Sequence, residues 1–364
     1  MTDPPATGGG LSTRLLVDLL KPRRPGFGVF VVTGAFATSL LAGALAVSLI
    51  GVSPVRALTV LVEGSVGSKA ALADALVFAT PRLFVALGAI VAIRCGVFNL
   101  GGEGQLQVGA IGAILAGTAF GSLVTPIHLG LALAASMVFG GVWAVIAIAL
   151  KLWRGANEII VTLMMNFVAI YLVQYLVQGP LQPADSIYNT SERVADSAEL
   201  PVLVSGTRLH LGVPLAFAAA VAVWFLLYRT PLGVRLRATG LNPRAARLQG
   251  LSVGRLVLAS MAISGSIAGL AGASEVLGVQ FRLIQGFSSN FGFEGLAIAF
   301  LARLEPFSAV LVAVYFGMVQ KGTTQLESVL GVPSALAFIM EALPIIFLAG
   351  AQGWLLLRGR VVRA

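Results

Sequence analysis

The sequence predicts an all-α, polytopic membrane protein, and three observations lead to this fold class. Hydrophobic residues make up 57% of the 364 residues and charged residues only 11%, whereas about 25% of the residues in soluble domains are charged. The mean hydropathy is +0.94. The apolar residues form long continuous runs, while a transmembrane β-barrel would show alternation over about ten residues. Because the chain lacks the polar atoms that cover a soluble surface, lipid is the expected solvent for most of it.

The composition also excludes several classes of function. The single cysteine, Cys95, can form no intramolecular disulfide. None of the lysines is followed by Ser or Thr, so the chain has no Walker A loop. His128 and His210 belong to no metal-binding pattern, and we find no pair of nucleophile and base. We therefore expect no cofactor, no metal and no enzymatic activity in this chain.

Ten apolar runs are candidates for membrane spans, since a spanning helix needs about 20 apolar residues. The runs are 27–52, 72–93, 106–124, 129–150, 159–177, 211–228, 256–279, 293–304, 307–319 and 335–357. The run 293–304 is too short to cross alone, so we interpret it as a half-helix or re-entrant segment. The run 27–52 is longer than the roughly 7–15 residues of a signal sequence, and we interpret it as an uncleaved first span. The transmembrane domain is thus predicted at 27–357.

The basic residues predict the orientation of the chain. With the N-terminus inside and ten crossings, 17 of the 24 Lys and Arg residues lie on the cytoplasmic side, six lie outside and Arg82 lies within a span. This asymmetry follows the positive-inside rule. Segments 1–26, 229–255 and 358–364 are accordingly predicted to be cytoplasmic, and 179–208 is predicted to be an extracytoplasmic loop, either a docking surface or a solvated connection. The net charge of +9 is explained by this topology and by contact with anionic lipid, so no nucleic acid is expected.

A short helix is predicted in the cytoplasmic stretch RATGLNPRAARLQG at 237–250. Asn242 is a suitable N-cap, Pro243 suits the first helical position, and Gly250 suits the end. Two alanines inside it permit close approach of another surface, and two arginines three residues apart share a face that can meet carboxylates. The alternative is a basic helix that rests on lipid headgroups.

The stretch FNLGGEGQ at 98–105 follows the second span. Its glycines predict a break in regular helix, and irregular backbone at membrane depth must be covered by protein or water. Glu103 and Gln105 are costly in lipid and are therefore functional candidates. The alternative is an interfacial loop that simply reaches water.

A polar stripe is predicted in GANEIIVTLMMN at 155–166, because Glu158, Thr162 and Asn166 are each four residues apart. We expect the stripe to face a cavity. The alternative is hydrogen bonding between helices without any pathway.

The stretch FGFEGLAIA at 291–299 echoes the one at 98–105, since both place a glycine-flanked acid behind an aromatic residue. The spans that precede them run in opposite directions, which suggests two inverted halves around a midplane pathway. In the seventh span, Gly265 and Gly269 have the spacing of a close-packing face.

Taken together, these segments resemble the binding-protein-dependent permeases of ABC importers for branched-chain amino acids, simple sugars and nucleosides, and most of all the nucleoside and simple-sugar branch. Residues 98–105 resemble the FNIG-x-EGQ signature, and 237–250 resemble the A-x-G-x-N-x-x-A-A-x-x-x-G loop of this family. Residues 155–166 and 291–303 are similar to further stretches of that branch. The match extends from about 72 to 348. Leu100 replaces the usual Ile, and 300–306 read FLARLEP in place of L-L-G-R-N/H-x-P.

The resemblance implies a permease subunit that imports nucleosides or related simple sugars across a bacterial cytoplasmic membrane. It implies as partners a second permease, identical or paralogous, two cytoplasmic ATPase subunits that hydrolyse the ATP, and an extracytoplasmic substrate-binding lipoprotein. The coupling segment, 237–250, then supplies Arg237, Gly240, Asn242, Pro243, Ala245, Ala246, Arg247 and Gly250. The candidate pathway residues are Phe98, Asn99, Glu103, Gln105, Asn157, Glu158, Thr162, Asn166, Phe293 and Glu294.

Two points stay open from the residues alone. An ion-coupled secondary transporter of a small polar solute is the alternative, with Glu103, Glu158, Glu275, Glu294 or Glu341 as ion sites. The phenylalanines at 98, 291 and 293 either stack on a base or sugar ring or pack in the core.

Overall fold

The computed structural model describes residues 51–333 except residue 122, together with isolated positions between 37 and 48 and between 335 and 346. Residues 51–333 form eleven α-helices and one turn of 3-10 helix, and they contain no β-strand. The helices are α1 (Pro54–Val66), α2 (Lys69–Arg94), α3 (Gly102–Ala119), α4 (Thr125–Arg154), α5 (Glu158–Val177), α6 (Gly212–Arg229), α7 (Pro231–Leu241), α8 (Pro243–Leu248), α9 (Val253–Gly278), α10 (Phe291–Leu301) and α11 (Pro306–Leu330).

Five helices in the described part of the chain are long and apolar enough to cross a membrane, namely α2, α4, α5, α6 and α9. Each matches a predicted run to within about four residues at either end. The all-helical, multi-pass class is therefore confirmed. The predicted runs 27–52 and 335–357 lie almost entirely outside the described residues, as do segments 1–26 and 358–364 and the candidate Glu341.

Helix α2 is the central element of the bundle. Its apolar stretch is 89% buried, whereas that of α5 is only 22% buried. It packs against α9, α11, α10 and α6. A helix that is apolar on all sides is expected to be surrounded by protein or lipid, and here protein surrounds it.

The predicted small-residue face of α9 is present and brings α9 directly onto α3 and α4. A Cβ added to Gly265 would lie 2.5 Å from the Cβ of Ala144, so only glycine fits there. At Gly269 the hydroxyl of Ser136 donates a hydrogen bond to the backbone carbonyl at 2.6 Å. Packing of small residues with a polar bond across the contact is a usual way for helices to associate in lipid.

Helix α11 is longer than the sequence predicts. It has 25 residues, whereas the predicted run stopped at residue 319 because Gln320 and Lys321 are polar. Both side chains have partners on α2. Asp74 pairs with Lys321 at 2.8 Å, and Arg82 donates a hydrogen bond to the side-chain oxygen Oε1 of Gln320 at 3.4 Å. The apolar run therefore ends at residue 319, whereas the helix continues to Leu330. By contrast α10, with 11 residues, has the length of the predicted half-helix.

Helix α1 was not predicted. Its first helical position is Pro54, which is a common helix start. The hydroxyl of Ser65 donates to the Met318 carbonyl at 2.7 Å and thereby fastens α1 to α11.

The loop at 179–208 lies over the ends of α3 and α9. Three backbone N–H groups of the loop donate hydrogen bonds of 2.8 to 3.0 Å to backbone carbonyls below it. Val194 donates to the 279–283 turn, Ala195 to the end of α3 and Leu200 to the end of α9. On its outer surface Ile187 and Tyr188 are 86% and 69% exposed. The loop is therefore anchored on one side and leaves apolar groups free on the other.

Candidate functional site

The N-termini of α3 and α10 meet beside the middle of α2. A Cβ added to Gly102 of α3, or to Gly295 of α10, would come within 2.7 Å of the Val85 side chain. Since Val85 lies well inside the 26-residue helix α2, both helices begin deep within the bundle. Two of the predicted motifs, 98–105 and 291–299, are thus brought together.

Glu103 joins the two helices. One of its carboxylate oxygens accepts a hydrogen bond from the backbone N–H of Gly292 at 2.8 Å, and the other accepts one from the Gln107 amide at 3.1 Å. Only 2% of Glu103 is exposed. The N-cap residue of α10, Asn290, makes no capping bond with its side chain, so a carboxylate from α3 serves that end of α10 instead.

Asn99 and Gln105 form a reciprocal pair behind Glu103. Each side-chain amide donates to the carbonyl oxygen of the other, at 3.1 and 3.0 Å, and Asn99 also donates to the Ser264 hydroxyl of α9 at 2.9 Å. Asn99 further accepts from the Gly101 backbone at 2.9 Å. The break in regular helix that the glycines of 98–105 predict is present up to Gly101, and α3 begins at Gly102.

Thr162 and Asn166 hold the same turn from the side of α5. The Asn166 amide donates to the Leu100 carbonyl and accepts from the Gly104 N–H, both at 2.8 Å, and the Thr162 hydroxyl accepts from the Leu100 N–H at 3.2 Å. Both side chains are buried. For Thr162 and Asn166 the structure therefore has hydrogen bonds between elements, which is the alternative to a cavity-facing stripe.

The remaining residues of the stripe lie apart from this cluster. Asn157 is the N-cap of α5 and accepts from the Ile159 N–H at 3.0 Å. Glu158 pairs with Lys151 of α4 at 2.9 Å, and its side chain is 20% exposed. These two residues belong to the start of α5, at the end of the bundle that carries segment 237–250 in the predicted topology.

A buried ion pair, missed by sequence reasoning, flanks the meeting point. Glu294 of α10 pairs with Arg82 of α2, and their side chains are 11% and 1% exposed. Arg82 also lies over the Phe291 ring, 4.9 Å from its centroid, and donates to the Phe78 carbonyl at 2.7 Å. The signal was available, because Arg82 was the one basic residue predicted inside a span and such residues need partners.

The aromatic candidates separate into two environments. Phe98 stacks on Phe300 at 6.3 Å between ring centroids, which is core packing. Phe293 is 37% exposed on α10, so its ring remains accessible in the chain taken by itself.

The predicted helix in segment 237–250 is α8. Asn242 caps it by accepting from the N–H groups of Arg244 and Ala245 at 3.1 and 3.0 Å. It ends in a Schellman motif, in which Gly250 has φ +80° and the N–H of Leu251 donates to the Ala246 carbonyl at 3.0 Å. Within α8 only Ala246 is buried, and Leu248 is 90% exposed. The cap, the first proline and the final glycine were all predicted.

The start of the same segment lies in α7 and touches α2 directly. A Cβ added to Gly240 would lie 3.0 Å from the carbonyl carbon of Cys95 and would collide with the Arg94 carbonyl oxygen. Gly240 thus packs on the turn that leads from α2 into the Asn99 network.

Known proteins resemble the chain over most of its length. Residues 71–349 match the family described as "Branched-chain amino acid transport system / permease component". The guanosine ABC transporter permease protein NupP of Bacillus subtilis is 35% identical over 333 residues, which cover 90% of this chain and 94% of NupP. The glucose ABC transporter permease protein TsgB13 of Haloferax volcanii is 34% identical, covering 86% and 85%. The nucleoside ABC transporter permease protein NupB of Lactococcus lactis is 27% identical, covering 88% and 90%. No solved structure matches the chain.

Proposed function

The chain belongs to the family of permease components of branched-chain amino acid transport systems, and on that premise we propose that it is the membrane-spanning subunit through which an ATP-driven importer carries nucleosides. The observation that carries the substrate class is the 35% identity with a guanosine permease over 90% of this chain. As a permease component the chain is a transport subunit and not an enzyme. Family membership also favours ATP-driven transport over the ion-coupled alternative.

A simple sugar is the second candidate substrate. The relative named as a glucose permease is 34% identical, almost as similar as the guanosine permease. A ribose-containing nucleoside and a free sugar share hydroxyl groups, and the two substrates differ in the base.

The predicted topology and partners complete the proposal. Segments 229–255 and both termini face the cytoplasm of a bacterial cell, and 179–208 faces outward. Two ATPase subunits dock on α8, a substrate-binding lipoprotein delivers substrate at the outer side, and a second permease, identical or paralogous, completes the pathway. The exposure of α8 and the apolar outer surface of the 179–208 loop support these two docking faces.

We assign a role to each group of residues, and the described contacts support these roles. Closure of the ATPase subunits displaces α8, and α7 transmits the displacement through Gly240 to the turn after α2. Asn99, Gln105, Thr162 and Asn166 act as positioning residues that hold this turn. Glu103, Glu294 and Phe293 sit where α3 and α10 begin, which is the proposed midplane of the pathway, and Asn157 and Glu158 lie toward its cytoplasmic mouth.

Uptake by reconstituted proteoliposomes tests the proposal. The chain is combined with the ATPase, second permease and binding protein of its system, and labelled guanosine, ribose, glucose and leucine are offered with and without ATP. We expect ATP-dependent uptake of guanosine in excess of the other three. Preferred uptake of a sugar would support the second candidate, and uptake that follows an ion gradient without ATP would overturn the ABC mechanism.

A further inference from the structure

Four side chains from four elements meet where α2, α6 and α10 end. Arg94 closes α2, Tyr228 lies near the end of α6, Arg237 is in α7, and Glu305 lies in the turn between α10 and α11. The Glu305 carboxylate accepts hydrogen bonds from Arg94 at 2.7 Å and from the Tyr228 hydroxyl at 2.6 Å, on the same oxygen. The Arg237 guanidinium lies over the Tyr228 ring, 4.9 Å from its centroid. Only Arg237 belongs to the coupling segment.

These contacts hold a strained turn. Arg303 and Leu304 both have positive φ, at 55° and 60°, a conformation that is costly for residues other than Gly, Asn and Asp. The Leu304 carbonyl accepts two hydrogen bonds from Arg94, at 3.0 and 3.2 Å. Arg94 and Tyr228 therefore fasten the turn through its backbone at 304 and its carboxylate at 305. Backbone strain of this kind persists only where surrounding contacts impose it.

The turn also ends α10, the half-helix whose first residues receive Glu103 and carry Glu294. Three backbone hydrogen bonds of 2.9 to 3.1 Å close the turn. The N–H of Arg303 donates to the carbonyl of residue 300, that of Leu304 to residue 299 and that of Glu305 to residue 302. A change in this turn would move α10 as a unit, because its eleven residues form one continuous helix.

The ring of Tyr228 links this turn to the coupling segment. Its face receives Arg237, and its hydroxyl is bound to Glu305. The Arg237 Nε atom is buried without a hydrogen-bond partner among the described residues, and the guanidinium lies over the Tyr228 ring.

We propose that Arg94, Tyr228 and Glu305 are positioning residues that clasp the strained turn at 302–305, and that Arg237 shifts Tyr228 and opens this clasp when the coupling segment moves. The proposal deepens the proposed function, since it names the residues by which ATP-driven motion at α7 and α8 reaches α10. Opening lets the turn relax from its strained conformation and frees the half-helix to change position in the pathway.

Hydrogen exchange in lipid nanodiscs tests the clasp without requiring transport. Tyr228→Phe keeps the ring beneath Arg237 and removes only the bond to Glu305. We expect the backbone amides of residues 303–305 to exchange at least tenfold faster in this variant. The matched control is Tyr171→Phe on α5, which makes the same chemical change at a side chain that is 65% exposed. Unchanged exchange at 303–305 in Tyr228→Phe would overturn the proposal.

Transport then tests the coupling. In the reconstituted system we expect Tyr228→Phe to lower the amount of substrate carried per ATP hydrolysed at least threefold, while ATP hydrolysis itself continues. Glu305→Gln keeps an acceptor for Tyr228 but loses the charge that pairs with Arg94. We expect this variant to lower the amount of substrate carried per ATP by less than Tyr228→Phe does. If the clasp acts as a unit, the double variant lowers the amount of substrate carried per ATP by less than the product of the two single fold-reductions. A reduction equal to that product would mean that the two residues act independently and would contradict the proposal. Absence of uptake by the wild-type system would instead count against the proposed function, and the exchange result would still decide the clasp.

Discussion

The carboxylate of Glu103 and the backbone N–H of Gly292 form a hydrogen bond of 2.8 Å across 189 residues of sequence. Glu103 stands in the first turn of α3, and Gly292 stands in the first turn of α10. A helix N-terminus carries about half a positive charge. One buried carboxylate therefore stabilises two helix ends at once, at the point where both helices begin inside the bundle.

Removal of this carboxylate is expected to destabilise the fold. Glu103→Ala leaves the Gly292 N–H and the Gln107 amide without their acceptor, and each unsatisfied buried donor costs about 1–3 kcal/mol. Glu103→Gln keeps an acceptor but loses the charge at the helix end, a loss of roughly 1 kcal/mol. Thermal unfolding in detergent should therefore rank the variants as wild type, Gln, then Ala. Glu327→Gln, on the exposed part of α11, is the control and should leave the unfolding temperature unchanged.

Substitution of Gly292 is expected to separate α10 from α3. A Cβ at this position would lie 2.6 Å from the Cβ of Glu103 and even closer to its backbone, and overpacking of this kind costs about 1–3 kcal/mol. Gly292→Ala should lower the unfolding temperature and abolish ATP-dependent uptake. Gly130→Ala in α4 is the matched control, since its Cβ would meet nothing within 4 Å. Equal stability of the two variants would refute the close contact.

Local features of this fold were predictable from the sequence, whereas the long-range pairings were not. The cap at Asn242 and the glycine face of α9 follow from spacings of a few residues, and both are present. The Arg82–Glu294 pair joins positions 212 residues apart, and no local pattern specifies which distant helix supplies a partner. Because charged residues are rare in membrane spans, the sequence predicts that Arg82 has a partner, but it does not specify that this partner is Glu294.

Two boundaries differ from the sequence prediction for a common physical reason. The predicted run 307–319 ends before the polar Gln320, and the break predicted within 98–105 ends at Gly101, although the residues that follow are unfavourable in lipid or in helices. In the fold Gln320 faces Arg82, and Gln105 pairs with Asn99. Tertiary hydrogen bonds thus override local preference wherever polar side chains find partners inside the bundle.

Loss of the cap at Asn242 is expected to uncouple ATP hydrolysis from transport. The Asn242 side chain satisfies two N–H groups of a helix of only six residues, and replacement of such a cap by Ala costs about 1 kcal/mol. Asn242→Ala should lower uptake several-fold at unchanged expression. Asn242→Asp retains the acceptor oxygen and should restore most of the uptake. If Asp fails as badly as Ala, the side chain acts through something other than the cap.

Gly240→Ala is expected to displace α7 from α2. The added Cβ would lie 3.0 Å from the Cys95 carbonyl carbon and would collide with the Arg94 carbonyl. This contact is the proposed route from the coupling segment to the Asn99 turn. We therefore expect a loss of uptake that is larger than the loss of overall stability alone would explain. The control is Gly254→Ala at the start of α9, whose Cβ would meet nothing within 4 Å. Similar uptake in the two variants would remove Gly240 from the route.

Acid is expected to loosen the junction between the 179–208 loop and α6 through His210. The ring is buried, with 1% of the residue exposed, and it lies between two glycines, Gly212 and Gly278, whose added Cβ atoms would meet it at 2.7 and 2.9 Å. Its Nδ1 accepts a hydrogen bond from the Gly212 N–H at 3.1 Å, which only a neutral ring can do. Burial, assisted by the charge of Arg208, lowers the pKa of His210 from 6.5 to about 4.

The sign of the pH dependence follows from this shift. Between pH 6.5 and about 4 the unfolded chain binds a proton at His210 that the folded chain does not, so stability rises with pH across this window. The contribution is complete above pH 6.5 and is lost as the pH falls toward 4, and its full size is on the order of 3 kcal/mol at about 1.4 kcal/mol per unit. We expect the unfolding temperature of the wild type to fall between pH 7 and pH 4.5. His210→Gln, which does not titrate, should show a shallower slope whatever its stability at pH 7, and an identical slope in both proteins would exclude His210 as the group responsible.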